Sequence, residues 1–228
     1  SGWSPWTREP VCVGPKAAGR GAALCAFVKE DFRGEAGLLV VTSPEIAAAG
    51  HSIIEDSDPR WVVGGGGGSS KVAAAAARSH TPSPFEVREV PGKGLGAVAN
   101  ATIRAGDVVL RERPVLLQLT EPAGPVGRMR ALWVLEEGFV RLPPEDQRRV
   151  FDLSRSAGGH VLEDVIRTNT FGAAFGGVGH LGLFPRAARI NHACMPNAIT
   201  RFSPRTLELE VVAYKDVQPG EELTISCR

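Results

Sequence analysis

The stretch INHACMPNAI, residues 190–199, brings together side chains that could act as a nucleophile, as metal ligands or as a polar turn. His192 and Cys194 stand two positions apart, with Asn191 before them and Asn197 after them. A catalytic cysteine needs a base within hydrogen-bond reach, and usually a third group that orients this base. His192 and Cys194 would share a face in a strand and diverge in a helix. The alternative is a buried turn whose asparagine and histidine bond to the backbone.

The cysteine count argues against a zinc centre. A structural zinc site needs four nitrogen or sulfur ligands at recognisable spacing. The four cysteines are Cys12, Cys25, Cys194 and Cys227, and they form no CxxC or CxC pair. We therefore expect no complete zinc site. Cys12 and Cys25 could pair in a secreted protein, whereas in a reducing compartment two separate thiols are expected.

Composition sets the class of protein. The chain has 228 residues, of which 43% are hydrophobic, and a net charge of +1. This length and apolar content suit one sizeable domain, alone or with a tethered segment. A nearly neutral chain has no overall field for DNA or a membrane surface, and no apolar run approaches the roughly 20 residues of a membrane span. We predict no direct nucleic-acid binding and no membrane span.

Three zones differ in composition. Residues 1–61 form an N-terminal extension, with a strand predicted at 37–41 and a short helix capped by Ser43. Residues 62–84 are rich in glycine, alanine and serine, which is typical of a flexible linker. Residues 85–228 carry the organised domain, with a helical insertion at about 126–170.

The organised domain is predicted to contain short strands on either side of its helices. The segment FEVREV alternates as a strand does, and GKGLG forms a turn before another short strand. Strands at 198–202 and 206–213 flank a turn, which predicts a hairpin. Within the helical insertion we expect an apolar stripe to face the core: Met129, Leu132, Trp133, Leu135 and Phe139. Short strands, a helical insertion and more strands predict an α+β fold.

Three blocks of sequence resemble the SET-domain lysine methyltransferases. NHACMPN resembles the NHSCxPN signature of that family, with Ala193 in place of serine. VQPGEELTIS is similar to the closing strand of the family, and GKGLGAVANATIRAGDVVLRERPVL to its opening. The blocks occur in family order over about residues 85–228, and the N-terminal zone is similar to fungal SET-domain proteins. The resemblance implies the SET fold, a β-clip-like arrangement of small sheets.

The same resemblance implies methyl transfer from S-adenosyl-L-methionine to the ε-amine of a lysine in a histone or non-histone protein. It assigns the cofactor to the backbone and side chains of Lys93, Gly94, Leu95 and Gly96 and to Asn191 and His192. The chemistry needs alignment of the reacting atoms and exclusion of water rather than paired carboxylates.

The resemblance is incomplete at the C-terminal motif. Relatives end this motif with a tyrosine that lines the lysine channel, and here Cys227 occupies the catalytic position. Relatives also carry a cysteine-rich segment after the motif, whereas this sequence stops at Arg228. The alternative to an active enzyme is an impaired or truncated SET domain that binds a cofactor or a protein.

Overall fold

The computed structural model describes residues 5–14, 23–34, 36–55, 83–121 and 126–226. Most of the predicted linker at 62–84 lies outside these ranges, and so does Cys227. The strands are β1 Val11–Val13, β2 Leu24–Phe32, β3 Ala36–Thr42, β4 Phe85–Val90, β5 Gly94–Ala99, β6 Val108–Glu112, β7 Leu116–Leu119, β8 Thr170–Phe175, β9 Val178–Leu183, β10 Asn191–His192, β11 Ala198–Ser203, β12 Glu208–Ala213 and β13 Thr224–Ile225. The helices are α1 Pro44–Ala49, α2 His51–Glu55, α3 Arg128–Phe139, α4 Pro144–Phe151 and α5 Val161–Asn169, with a 3-10 turn at Ala187–Arg189.

The N-terminal strands belong to the largest sheet, whose order is β1-β2-β3-β7-β9-β8. Strand β3 pairs in parallel with β7, with Leu39 opposite Leu116. The strand predicted at 37–41 and the Ser43-capped helix are both confirmed. The extension at 1–61 thus supplies three strands to a sheet that is completed by strands of the organised domain.

Both faces of this sheet are covered. Leu39 and Val41 pack against helices α3–α5, and Leu38 and Val40 pack on the other side with residues of α1 and α2. An uninterrupted apolar run such as LLVV is expected when a strand is buried on both faces. Cys12 and Cys25 lie opposite each other on β1 and β2 and form a disulfide.

Helix α3 does not present the whole predicted stripe to the core. Met129 is 75% exposed and Trp133 45% exposed, so the prediction that both face the core was wrong. The buried side of the helix is instead formed by Val134, Leu135, Gly138 and Phe139. Gly138 allows this close packing, because a Cβ there would lie 2.7 Å from the Cβ of Ala26 in β2 and 2.5 Å from Cδ1 of Leu39 in β3.

A second core holds the smaller sheets together. Strands β11, β12 and β6 form a three-stranded sheet, and β4 pairs with β5 in a hairpin. The predicted hairpin of β11 and β12 is confirmed, with its turn between Ser203 and Glu208. Residues of these sheets and of the segments beside β10 and β13 bury a common apolar cluster that includes Ala97, Ile190 and Leu223. The mixed small sheets with a helical insertion confirm the predicted α+β fold, and no helix within the described ranges is long and apolar enough to cross a membrane.

We predict that Gly138→Ala destabilises the chain. The added Cβ would lie 2.7 Å from the Cβ of Ala26, which is fixed to strand backbone. Overpacking of this kind costs about 1–3 kcal/mol, more than the roughly 1 kcal/mol that alanine gains over glycine inside a helix. Urea unfolding measures the difference, with Gly172→Ala as control because nothing lies within 4 Å of its added Cβ. Equal stability of the two variants would contradict the packing of α3 on β2.

Candidate functional site

The three blocks of sequence quoted above meet at one segment, residues 221–225. On one side this segment pairs with β5: the N–H of Leu223 donates to the carbonyl of Ala97 at 2.8 Å, and the N–H of Ala99 to the carbonyl of Glu221 at 2.9 Å. On the other side β13 pairs in parallel with β10, with Asn191 opposite Thr224. The glycine-rich opening, the NHACMPN stretch and the GEELTIS stretch are therefore hydrogen-bonded to one another.

The glycines before and in β5 have two different roles. Gly92 and Gly94 have φ values of 73° and 74°, a left-handed backbone that glycine adopts without strain. Gly96 is needed for close approach, because a Cβ there would lie 2.7 Å from Nδ2 of Asn191 and 3.1 Å from Oε1 of Glu222. The backbone of β5 thus lies directly against the Asn191 side chain.

Glu222 connects the predicted residues Lys93 and Asn191. Its Oε1 accepts a hydrogen bond from Nδ2 of Asn191 at 2.8 Å, and its Oε2 accepts one from Nζ of Lys93 at 2.6 Å. The Glu222 side chain is 17% exposed and that of Lys93 45% exposed. Glu222 was not singled out from the sequence, although it lies within the quoted GEELTIS block.

The remaining predicted site residues lie beside this cluster. The exposed side chain of Leu95 belongs to the same strand as Gly94 and Gly96. His192 neighbours Asn191 in β10, and its Nδ1 lies 3.1 Å from the carbonyl oxygen of Ser226. Adjacent residues of a strand point to opposite faces, so the imidazole and the Asn191 amide are directed differently.

The neighbourhood of Cys194 does not favour a thiol nucleophile. Cys194 is exposed and free, and the hydrogen bond described for the His192 imidazole is with the Ser226 carbonyl, not with the Cys194 thiol. Within the described ranges no three His, Cys, Asp or Glu side chains are grouped as a metal site would require. The side chain of Asn191 instead forms a hydrogen bond with Glu222.

Asn197 and Tyr214 shape the turn after the NHAC stretch. Nδ2 of Asn197 donates to the carbonyl of Glu222 at 2.9 Å, and its Oδ1 accepts the N–H of Thr224 at 2.9 Å. The phenol of Tyr214 donates to the carbonyl of Pro196. Asn197 therefore fixes the backbone on which Glu222 stands, which agrees with a structural rather than a ligand-binding role.

Glu112 fixes the backbone that leads into the site. Its carboxylate accepts the N–H of Arg186 at 2.9 Å and that of Ala187 at 2.8 Å, at the start of the 3-10 turn before Asn191. Burial raises the pKa of Glu112 to about 7, against the opposing effect of these donors and of the nearby Arg186 and Arg149 charges.

The family model described as SET domain matches residues 94–228. The match spans more than half of the chain and contains the second and third blocks and all of the opening block except Gly92 and Lys93, so the chain belongs to the SET-domain family, as the sequence predicted.

Several known proteins are similar to parts of the chain. The histone-lysine N-methyltransferase Set5 of Schizosaccharomyces pombe is 26% identical over 143 residues, which cover 61% of this chain and 40% of Set5. The mouse protein-lysine N-trimethyltransferase SMYD5 is 47% identical over 45 residues, 20% of this chain and 11% of SMYD5. Zebrafish N-lysine methyltransferase SMYD2-B is 44% identical over 46 residues, 20% of this chain and 10% of that protein. The chain thus spans less than half the length of each of these relatives.

A solved structure of a Plasmodium falciparum protein, named as a histone methyltransferase, also matches. It covers 64% of this chain and 93% of its own, with 13% identity and a TM-score of 0.37. The relatives come from a yeast and from vertebrates, so the fungal type predicted from the sequence stays a prediction.

We predict that Asn197→Ala lowers the free energy of unfolding by about 2–3 kcal/mol. The change leaves the Glu222 carbonyl and the Thr224 N–H without their side-chain partner, and each such loss costs roughly 1–3 kcal/mol when the group is shielded from water. Asn100→Ala is the matched control, because among the described residues its side-chain amide bonds only to the Ser83 carbonyl, at an exposed position. A denaturation midpoint for Asn197→Ala as high as that of Asn100→Ala would refute this role.

The raised pKa of Glu112 predicts a pH dependence of stability. The folded chain holds the carboxyl proton of Glu112 more tightly than the unfolded chain does. The contribution of Glu112 to the free energy of unfolding is therefore present at low pH and is lost as pH rises towards about 7. The difference in unfolding free energy between wild type and Glu112→Gln should therefore change between about pH 4.5 and pH 7 and stay level above that range. Urea titrations at several pH values measure this difference, with the exposed Glu221→Gln as control. A difference that does not vary with pH would be inconsistent with the raised pKa.

Proposed function

We propose that this chain carries a protein-lysine N-methyltransferase domain that uses S-adenosyl-L-methionine. One observation carries the proposal: Gly96 approaches Asn191 and Glu222 so closely that even a Cβ at residue 96 would lie 2.7 Å from the Asn191 amide nitrogen. In a SET domain this is the junction of the two motifs to which the sequence resemblance assigns the cofactor. The names of Set5, SMYD5 and SMYD2-B support lysine methylation as the reaction.

The residues at this junction suit such a cofactor chemically. S-adenosyl-L-methionine combines an amino-acid zwitterion with a neutral adenine ring. Lys93 offers a cation that is 45% exposed, Asn191 offers an amide, and the Gly94–Gly96 backbone offers peptide groups without bulky side chains. These groups can bind a polar ligand of mixed charge, and Leu95 adds an exposed apolar surface beside them.

The reaction itself demands little acid–base machinery from the chain. When bound, the cofactor supplies a methyl group already activated by its sulfonium. The lysine nitrogen would have to be neutral, so that its lone pair could form the new N–C bond as the C–S bond breaks and leaves its electrons on sulfur. The methylated amine would then release a proton to solvent. The tasks of this chain are alignment and exclusion of water.

We propose a catalytic role for Cys227. It occupies the position of a tyrosine in the family motif and lies outside the described residues. A thiol is a weaker hydrogen-bond donor than a phenol, and its reference pKa is about 8.5 rather than about 10. We propose that Cys227 lines the lysine channel and orients the amine less strongly than tyrosine would. The acceptor we propose is a lysine of a histone or another protein.

The proposal predicts a cofactor-dependent activity that Gly96→Ala abolishes. Its added Cβ would displace the Asn191 amide, so we expect cofactor affinity to fall at least tenfold while the chain stays folded. Transfer of tritium-labelled methyl groups to histones and to a protein extract measures activity, and calorimetry measures binding. Gly172→Ala is the control variant, because its Cβ meets nothing within 4 Å. No binding and no transfer by wild type would contradict the proposal.

A second function, that of a cofactor- or protein-binding module, is favoured by Cys227 itself. The binding-module function differs from the methyltransferase function in one predicted outcome. A binding module would bind the cofactor tightly but would transfer no label. Cys227→Tyr then separates an impaired channel from a true binding module. Transfer that appears in this variant indicates an enzyme weakened at one position, and its continued absence indicates a module.

A further inference from the structure

We propose that Glu222 is a positioning residue of the cofactor site, which sets the direction of the Asn191 amide and tethers Lys93 beside it. This inference rests on the proposed function and assigns a role to a residue outside the predicted site. The two carboxylate oxygens of Glu222 have separate partners, Asn191 at 2.8 Å and Lys93 at 2.6 Å.

The first task concerns the amide of Asn191. An ionised carboxylate can only accept hydrogen bonds, so the amide must turn its nitrogen towards Glu222. The amide oxygen is then directed away from the carboxylate. Asn191 therefore presents an acceptor to a ligand, and the matching ligand group is an amine or ammonium with N–H donors.

The second task concerns the turn that carries Lys93. The residue lies between Gly92 and Gly94, both with left-handed φ, and its N–H bonds to the carbonyl of Val90 at 3.0 Å. A 2.6 Å ion pair joins the tip of this turn to Glu222. A pair whose lysine side chain is 45% exposed adds little stability to a protein. Its effect is on position: the lysine cation is kept next to the Asn191 amide.

Glu222 can do both because its own backbone is held. Val98 of β5 forms an antiparallel bridge with Glu222. The Asn197 amide binds the Glu222 carbonyl at 2.9 Å. The Glu222 carboxylate is therefore positioned by neighbouring strands before any ligand binds. The Glu222 side chain is only 17% exposed, which limits competition from water.

The test compares Glu222→Gln with Glu221→Gln. Glutamine has the shape of glutamate but no charge, and its amide no longer dictates which way Asn191 turns. Glu221 is the matched control, since its exposed carboxylate bonds only to the N–H of Gln218 among the bonds described for its side chain. We expect the Kd of S-adenosylhomocysteine to rise about tenfold in Glu222→Gln and to stay within about twofold in Glu221→Gln.

A double-mutant cycle shows whether Glu222 acts through Asn191. If it does, the loss of affinity that Glu222→Gln causes should be clearly smaller in the Asn191→Ala background, where only the Lys93 tether remains to be lost, than in wild type, because coupled residues are not additive. A merely structural role would weaken both backgrounds equally. Additive losses, or unchanged affinity in Glu222→Gln, would overturn the proposal.

A measurement without cofactor separates this proposal from the proposed function. The side-chain amide signals of Asn191 in a nitrogen-15 correlation spectrum are identified by their absence from Asn191→Ala. They should shift in Glu222→Gln and not in Glu221→Gln. If they stay in place, the positioning role is overturned. If they shift but wild type binds no S-adenosylhomocysteine, the contact with Glu222 stands, while its cofactor role and the proposed function both fail.

Discussion

The candidate site depends on one short segment, residues 221–225, which hydrogen-bonds on one side to β5 and on the other to β10. Each backbone bond contributes only about 1 kcal/mol net to stability. These bonds matter mainly for geometry, because they hold together parts of the chain that are distant in sequence. The Gly96 backbone, the Asn191 amide and the Glu222 carboxylate can meet only because this segment lies between the two strands.

The rest of the fold supports this junction from several directions. The Asn197 amide and the Tyr214 phenol hold the turn that follows Asn191, and Glu112 holds the backbone that precedes it. Farther away, the N-terminal strands complete the large sheet, and its helical insertion packs over one face through Gly138. As a result, Gly96 and Asn191 lie in paired strands, and Glu222 lies in a segment that is bridged to β5.

Local patterns in the sequence predicted these strands and helices well, but they did not predict which distant strands pair with each other. The alternation of FEVREV, the Ser43 cap and the hairpin of β11 and β12 depend on neighbouring residues, and each is confirmed. The parallel pairing of β3 with β7 joins distant segments and leaves no local periodicity to detect. Met129 and Trp133 were misplaced because helical spacing gives an apolar stripe, whereas the buried side is the one on which Gly138 allows close packing.

The site was predicted through motifs rather than geometry. Lys93, Gly96 and Asn191 do come together, but Glu222, which links two of them, has no spacing that marks it. Its role follows only from the distances.

Hydrogen–deuterium exchange with and without S-adenosylhomocysteine tests the central claim, that the cofactor binds at this junction, most directly. The account predicts slower exchange of amides in 94–99, 191–193 and 222–225 when the cofactor product is present, with little change in α3 or α4. Protection confined to other segments, or none anywhere at saturating ligand, would contradict it.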